Sequence, residues 1–158
     1  MPKRSAGLLM FRRSGDGLHV LLVHPGGPFW KNKDLGAWTI PKGEHDADEE
    51  ALASAAREFR EETGIEPRGP FIQLTPVKQA GGKVVEAWAF ESDADAAAIR
   101  SNTFSIEWPR GSGRFQDFPE VDRAEWFSLD DARRKILRGQ APLLEELASK
   151  FQSVGRTG

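Results

Sequence analysis

The chain has 158 residues, 39% of them hydrophobic and 29% charged, a formal net charge of −2 and no cysteine. That length suffices for one domain with a sizeable core, and the composition is that of an ordinary globular protein rather than a disordered or fibrous one. The small net charge gives no reason to expect a nucleic-acid partner or an acidic membrane surface, and the missing cysteines exclude a disulfide framework, a thiolate metal site and a cysteine nucleophile.

In chain order, "SAGLLMFRR" and "LHVLLVHPG" read as two apolar strands joined by the turn "SGDG". The apolar run in "MPKRSAGLLMF" is short and broken by Arg12 and Arg13, so it is not read as a signal peptide, and no run approaches the roughly 18 residues of a membrane span. "GGPFWKNKDLGA" is a loop rich in glycine and lysine, and "WTIPKG" a short extended piece, because Pro41 biases Ile40 away from helix. A helix is predicted from about Asp48 to Thr63, closed by Gly64 with Pro67 beyond it.

"GPFIQLTPVKQ" and "KVVEAWAFES" read as further strands, "DADAAAIR" as a short helical turn and "TFSIEW" as a strand candidate. "PRGSGRFQDFPEVD" reads as a loop and "RAEWFSL" as a last strand. Ser128 caps a helix over "DDARRKILRG" with Asp131 at its N3 position, Gly139 ends it, and "PLLEELASKF" forms a terminal helix with Pro142 in its first turn. Hairpin-linked strands mixed with helices predict an α/β architecture with a mixed β-sheet in one domain, residues 1–153, followed by a frayed tail, 154–158.

On a helical wheel Leu52, Ala55, Ala56, Phe59 and Thr63 form the core stripe, and Glu58, Glu61 and Glu62 form a neighbouring one. Like charges at i, i+3 and i, i+4 oppose the helix by roughly 0.2–0.5 kcal/mol each. A charged face is most often simply solvated, and Arg57 and Arg60 offer local neutralisation. A hard divalent cation is a further reason to gather carboxylates there, since Mg²⁺ takes oxygen ligands and keeps waters that substrate phosphates can replace. The three histidines are scattered, which argues against a histidine metal centre.

The stretch Gly43–Ile65 resembles the Nudix box, G-x5-E-x7-R-E-U-x-E-E-x-G-U with U a bulky apolar residue. Gly43, Glu49, Arg57, Glu58, Phe59, Glu61, Glu62, Gly64 and Ile65 match it without a gap. From average composition the chance of such a match is on the order of 10⁻⁹ per window. The resemblance implies a Nudix-type α/β/α sandwich that hydrolyses a nucleoside diphosphate linked to another group, with Mg²⁺ or sometimes Mn²⁺. It implies that Glu58, Glu61 and Glu62 are metal ligands and catalytic, that the Gly43 carbonyl reaches a metal, that Glu49 supports the motif, and that Arg57 orients the carboxylates.

Beyond the box, Glu120 in "FPEVDRAEW" resembles the glutamate that in the family's diadenosine polyphosphate hydrolases and RNA pyrophosphohydrolases holds metal or activates water; Glu107 and Glu125 compete for that role. "WTIPKG" resembles the segment leading into the box in the diadenosine polyphosphate hydrolases, which makes Lys42 a phosphate contact. The chain departs from that subgroup after Gly43, with Glu44 where histidine is common and His45 one place later. Trp30, beside Phe29 in the glycine-flanked loop, is a candidate to stack on a base, as are Trp108, Phe115 and Phe118, and Arg110 and Arg114 in "PRGSGR" a candidate phosphate clamp. Trp38, Trp88 and Trp126 read as core.

The expected substrates are dinucleoside polyphosphates or nucleoside triphosphates. ADP-ribose or other sugar nucleotides, RNA 5′ ends and a non-catalytic nucleotide sensor are the alternatives. A cytoplasmic monomer or homodimer, with no nucleic-acid or membrane partner, completes the expectation.

Overall fold

The computed structural model describes residues 4–15, 17–46 and 48–151. Among the described residues nine strands run in the order β1 (Arg4–Ser14), β2 (Gly17–Pro25), β3 (Lys42–Glu44), then, after helix α1 (Ala51–Thr63), β4 (Ile72–Gln73), β5 (Val77–Lys78), β6 (Val84–Glu91), β7 (Thr103–Glu107), β8 (Phe115–Pro119) and β9 (Val121–Ser128). Helices α2 (Leu129–Lys135) and α3 (Ala141–Phe151) follow. The expected tail, 154–158, lies outside the described residues.

β1 is the organising strand. It pairs antiparallel with β2, from Phe11↔Val20 to Ser14↔Gly17, antiparallel with β3 at its start, and parallel with β6 along eight residues. The main sheet has seven strands in the order β4–β6–β1–β2–β9, with β3 added to β1 and β5 to β6. Successive side chains of β1 point to opposite faces. Ala6, Leu8 and Met10 pack with Ala55 and Phe59 of α1, while Leu9 and Phe11 pack with Leu143, Leu144 and Leu147 of α3. With helices on both faces, β1 and β2 need apolar residues on both, which explains their near-continuous hydrophobic runs. The fold is the expected α/β/α sandwich on a mixed sheet, and among the described residues no helix is long and apolar enough to cross a membrane.

The ends of α1 and α2 show the predicted chemistry. Gly64 takes φ 75° and donates its N–H to the Arg60 carbonyl, and the Ser128 hydroxyl accepts from the Asp131 N–H.

Four boundaries differ from expectation. α1 begins at Ala51, not Asp48, because Glu49 N–H closes a turn on the Asp46 carbonyl and Glu50 is still extended. "GPFIQLTPVKQ" splits into β4 and β5, since Pro76 has no N–H to donate and the Thr75 N–H goes to Glu146. α2 stops at Lys135, four residues before Gly139, because Ile136 turns extended to bridge Trp38 and bury its side chain. "PRGSGRFQDFPEVD" is not all loop: Phe115–Pro119 is β8, paired with β7 as a separate two-stranded ribbon.

Candidate active site

The second half of α1 lies across β3, and that crossing sets the first contact of the site. A Cβ on Gly43 would fall 2.1 Å from the Glu58 Cδ, so the position has no room for a side chain while Glu58 is in place. Glu62, one turn on, is only 9% exposed, with the backbone N–H of Lys42 near enough to favour its charged form. The wheel placed it beside the core; the structure buries it.

Arg57 ties the cluster from the side. One terminal guanidinium nitrogen donates to Glu58 at 3.1 Å and Glu61 at 3.4 Å, and the other to Glu49 at 3.0 Å. The Glu49 carboxyl is thereby held below its usual range, mainly by this bond and further by the Asp46 N–H.

Glu120 arrives from the turn between β8 and β9 through a chain of backbone bonds. The Asn102 N–H donates to the Glu61 carbonyl at 2.9 Å, the Glu120 N–H to the Asn102 carbonyl at 2.8 Å, and the Gly26 N–H to the Glu120 carbonyl at 2.9 Å. Its carboxylate has no hydrogen-bond partner among the described residues. Burial, and then the charge of Glu61, raise its pKa. The carboxyl of Glu58 is raised by burial first, then by Glu61 and Glu120, against the pull of Arg57. That of Glu62 is pushed up to about 8 by burial, by Glu58 and by Glu120, although Lys42 opposes the shift. The four carboxylates therefore share one electrostatic site.

Lys42 stands at its edge, its ammonium depressed by burial and by Lys83 and supported by Glu62, Glu44 and Glu58. The sequence reading missed Lys83, whose Nζ is 3.5 Å from Glu44. No spacing signals it, since only the pairing of β1 with both β3 and β6 brings the two lysines together. It also missed His24, fully buried, with Nδ1 at 2.8 Å from Asp122 and Nε2 at 2.6 Å from the Lys33 carbonyl. That contact pins the loop after β2.

The remaining candidates lie elsewhere. Arg110 and Arg114 sit in the β7–β8 turn, where neither pairs with any of the four carboxylates; the Arg110 guanidinium is 5.9 Å from the Phe29 ring. Trp30 is half-buried in the loop after β2, with the Lys33 ammonium 5.2 Å from its ring. Glu107 accepts the N–H groups of Gly111 and Gly113 at 3.0 and 3.1 Å, so it holds the turn of its own ribbon. Glu125 is exposed on β9. Trp38 is core at 1% exposure, while Trp88 and Trp126 are only partly buried.

Among the described residues no three acidic or histidine side chains close on a single point as a ready-made cage. The donor set nevertheless fits Mg²⁺, which keeps several waters and takes one or two carboxylates together with substrate oxygens. The bare backbone at Gly43 and the gathering of Glu58 and Glu120 about the buried Glu62 are the observations that favour such an ion.

A profile of the NUDIX domain matches residues 1–147. Nudix hydrolase 10 of Arabidopsis thaliana is 28% identical over 113 residues, 71% of this chain; the chain spans only 36% of that relative's length. Among solved structures, a C. elegans Ap4A hydrolase binary complex superposes with a TM-score of 0.65 at 22% identity, over 96% of this chain and 98% of the other. The NUDIX domain of Shewanella oneidensis NrtR, complexed with ADP ribose, gives 0.63 at 21% identity, over 95% and 88%. A mutT/nudix family protein from Listeria innocua gives 0.64 at 19% identity, over 100% and 99%. Likenesses this distant speak for the fold, and the match over residues 1–147 for the lineage: the chain belongs to the NUDIX domain family.

Proposed function

We propose that the chain hydrolyses the phosphoanhydride of a nucleoside diphosphate linked to another group, with Mg²⁺ or Mn²⁺ as the required cation. The observation that carries this reading is geometric: the Glu58 carboxylate lies against the bare backbone of Gly43, with Glu62 buried one turn on. A cation with a polyphosphate on it would let these carboxyls ionise together.

Glu58, Glu61, Glu62 and Glu120 would hold the ion, with the Gly43 carbonyl beside them. Bound there, a divalent cation supplies charge neutralisation of the pyrophosphate and acidifies the attacking water. Arg57 keeps Glu58 and Glu61 in one arrangement, which limits the reorganisation needed during reaction. Lys42 meets a phosphate oxygen. Glu120, whose carboxylate has no competing hydrogen bond among the described residues, is free to take the water's proton or to complete the cation's ligands. The water oxygen bonds to one phosphorus, the anhydride P–O bond breaks, the proton passes to a carboxylate, and two phosphate-bearing products leave.

Within this class we read dinucleoside polyphosphates or nucleoside triphosphates as the substrates. Lys42, at the edge of the carboxylates, and Lys31 and Lys33, in the loop after β2, offer several cations to a long phosphate chain, and the fold likeness to an Ap4A hydrolase is in keeping with this. The likeness to an ADP-ribose complex keeps ADP-ribose as the second reading. The full set of carboxylates favours an enzyme over a sensor, which has no use for all of them.

Product analysis on diadenosine tetraphosphate, nucleoside triphosphates and ADP-ribose, with Mg²⁺ and with excess chelator, tests the reading. The expected result is Mg²⁺-dependent cleavage into two phosphate-bearing products, two nucleotides in the case of the tetraphosphate, with the higher kcat/KM on the tetraphosphate. A clear preference for ADP-ribose would overturn the substrate assignment alone, and no cleavage of any of them would overturn the hydrolase.

A further inference from the structure

A cavity of about 540 Å³ lies between the loop after β2 and the β7–β8 ribbon, beside the carboxylates rather than among them. Two glycines allow it to form. A Cβ on Gly26 would fall 1.9 Å from the Pro119 carbonyl oxygen, and one on Gly27, at φ 100°, 2.9 Å from the tip of the Phe104 ring. Only bare backbone at these positions lets the ribbon approach so closely.

Trp108 and Phe118 give the cavity aromatic walls. Each is backed by another ring: Phe29 meets Trp108 edge-on at 5.4 Å, and Phe104 lies 6.1 Å from Phe118. Of the polar groups on the wall, Lys31 and Gln116 can donate, and Asp122 can only accept. Asp122 spends Oδ1 on His24, at 2.8 Å, and its other oxygen has no partner among the described residues. The Gln116 amide nitrogen donates to the Trp108 carbonyl at 3.2 Å, which leaves its oxygen to accept.

We infer that this cavity takes the nucleobase of the substrate and favours bases that carry an exocyclic amino group. Flat aromatic walls suit the face of a base, which stacks whatever its sequence identity. The carboxylate of Asp122 repels phosphate, so the charged end of a nucleotide does not belong there. An amino group offers the donor that the Asp122 carboxylate lacks, whereas a carbonyl at that place, as in uracil, sets acceptor against acceptor. Pro119 and Asp122 line the cavity, and Glu120 between them belongs to the carboxylate site. A base seated against Trp108 therefore directs its phosphates over Glu120, with Lys31 of the cavity lining as their cation. That last step alone rests on the hydrolase reading.

The test uses adenosine, uridine and ribose without phosphates and without metal, by saturation-transfer NMR on the whole chain in EDTA. Adenosine should receive saturation through its base protons and bind at least about fivefold tighter than uridine, because an unpaired acceptor is left facing Asp122 in the latter. Trp108→Leu should weaken adenosine binding by about tenfold or more, as loss of a stacking ring does, while Glu125→Gln, exposed on β9 and outside the cavity, leaves it unchanged. Contacts from the adenine protons to the Trp108 indole in the unsubstituted chain give the same answer without a variant. Absence of adenosine binding at millimolar concentration, equal binding of uridine, or contacts away from Trp108 would each overturn the inference. A chain that cleaves no nucleotide yet binds adenosine at Trp108 would remove the hydrolase and leave the base site standing.

Discussion

Glu58 rests its carboxylate on the backbone of Gly43: the three atoms nearest to a Cβ there, at 2.1 to 2.4 Å, all belong to that one carboxylate. The crowding is with the far end of a flexible side chain, not with backbone. Gly43→Ala should therefore push Glu58 out of the site and leave the fold intact. The melting temperature should move by no more than a few degrees, while kcat falls by about 10²-fold, the scale of a misplacement of roughly an ångström in a reacting geometry. Thermal melts beside steady-state kinetics check this; a collapsed melting temperature, or full activity, would show that Glu58 and Gly43 are not related in this way.

The pH dependence of stability follows from the same cluster. The Glu62 carboxyl rises from 4.5 to about 8 on folding, and those of Glu58 and Glu120 move in the same direction. Such groups favour the folded state most below their unfolded pKa, and that advantage is lost as the pH climbs through the folded value. In chelator, the melting temperature should fall between about pH 5.5 and pH 8.5, and Glu62→Gln should flatten the fall. Added Mg²⁺ should raise it more at the upper pH, where the carboxylates are charged and bind the ion without releasing protons. Differential scanning calorimetry reads all three. A slope unchanged by Glu62→Gln would contradict the assignment of the shift to this residue.

How much of this could be read from the sequence depends on whether the cause is local. The box, the αL glycine at Gly64 and the Ser128 cap were legible because each is fixed by residues a few positions apart. The β8 strand was not, since its side chains are mostly exposed and show no buried alternation; its partner β7 makes it a strand. Ile136 leaves the helix for a bridge to Trp38, almost a hundred residues away, and α2 accordingly ends early. A wheel gives the direction of Glu62 but not its depth, which depends on β3 lying over it. The pairings of His24 with Asp122 and of Lys83 with Glu44 are set by topology alone.

Glu120 and Glu107 compete for one role in the sequence, and they stand in different surroundings. Glu107 closes its own turn on Gly111 and Gly113, whereas Glu120 shares the field of Glu58, Glu61 and Glu62. Glu120→Gln should lower kcat by about tenfold or more with little change in KM, and Glu107→Gln should leave kcat near that of the parent. Equal effects of the two, or a larger one at Glu107, would remove Glu120 from the mechanism.

The most direct measurement is the turnover of Glu62→Gln beside the unsubstituted chain on diadenosine tetraphosphate, at saturating Mg²⁺ and again in excess chelator. Glutamine keeps the shape of the side chain and removes its charge, so the variant should stay folded. Its kcat should fall by about 10³-fold or more, as expected when a charged group at the transition state is lost, and the unsubstituted chain should lose its activity in chelator. Full turnover by Glu62→Gln, or undiminished hydrolysis by the unsubstituted chain in chelator, would contradict a cation-dependent hydrolase centred on these carboxylates.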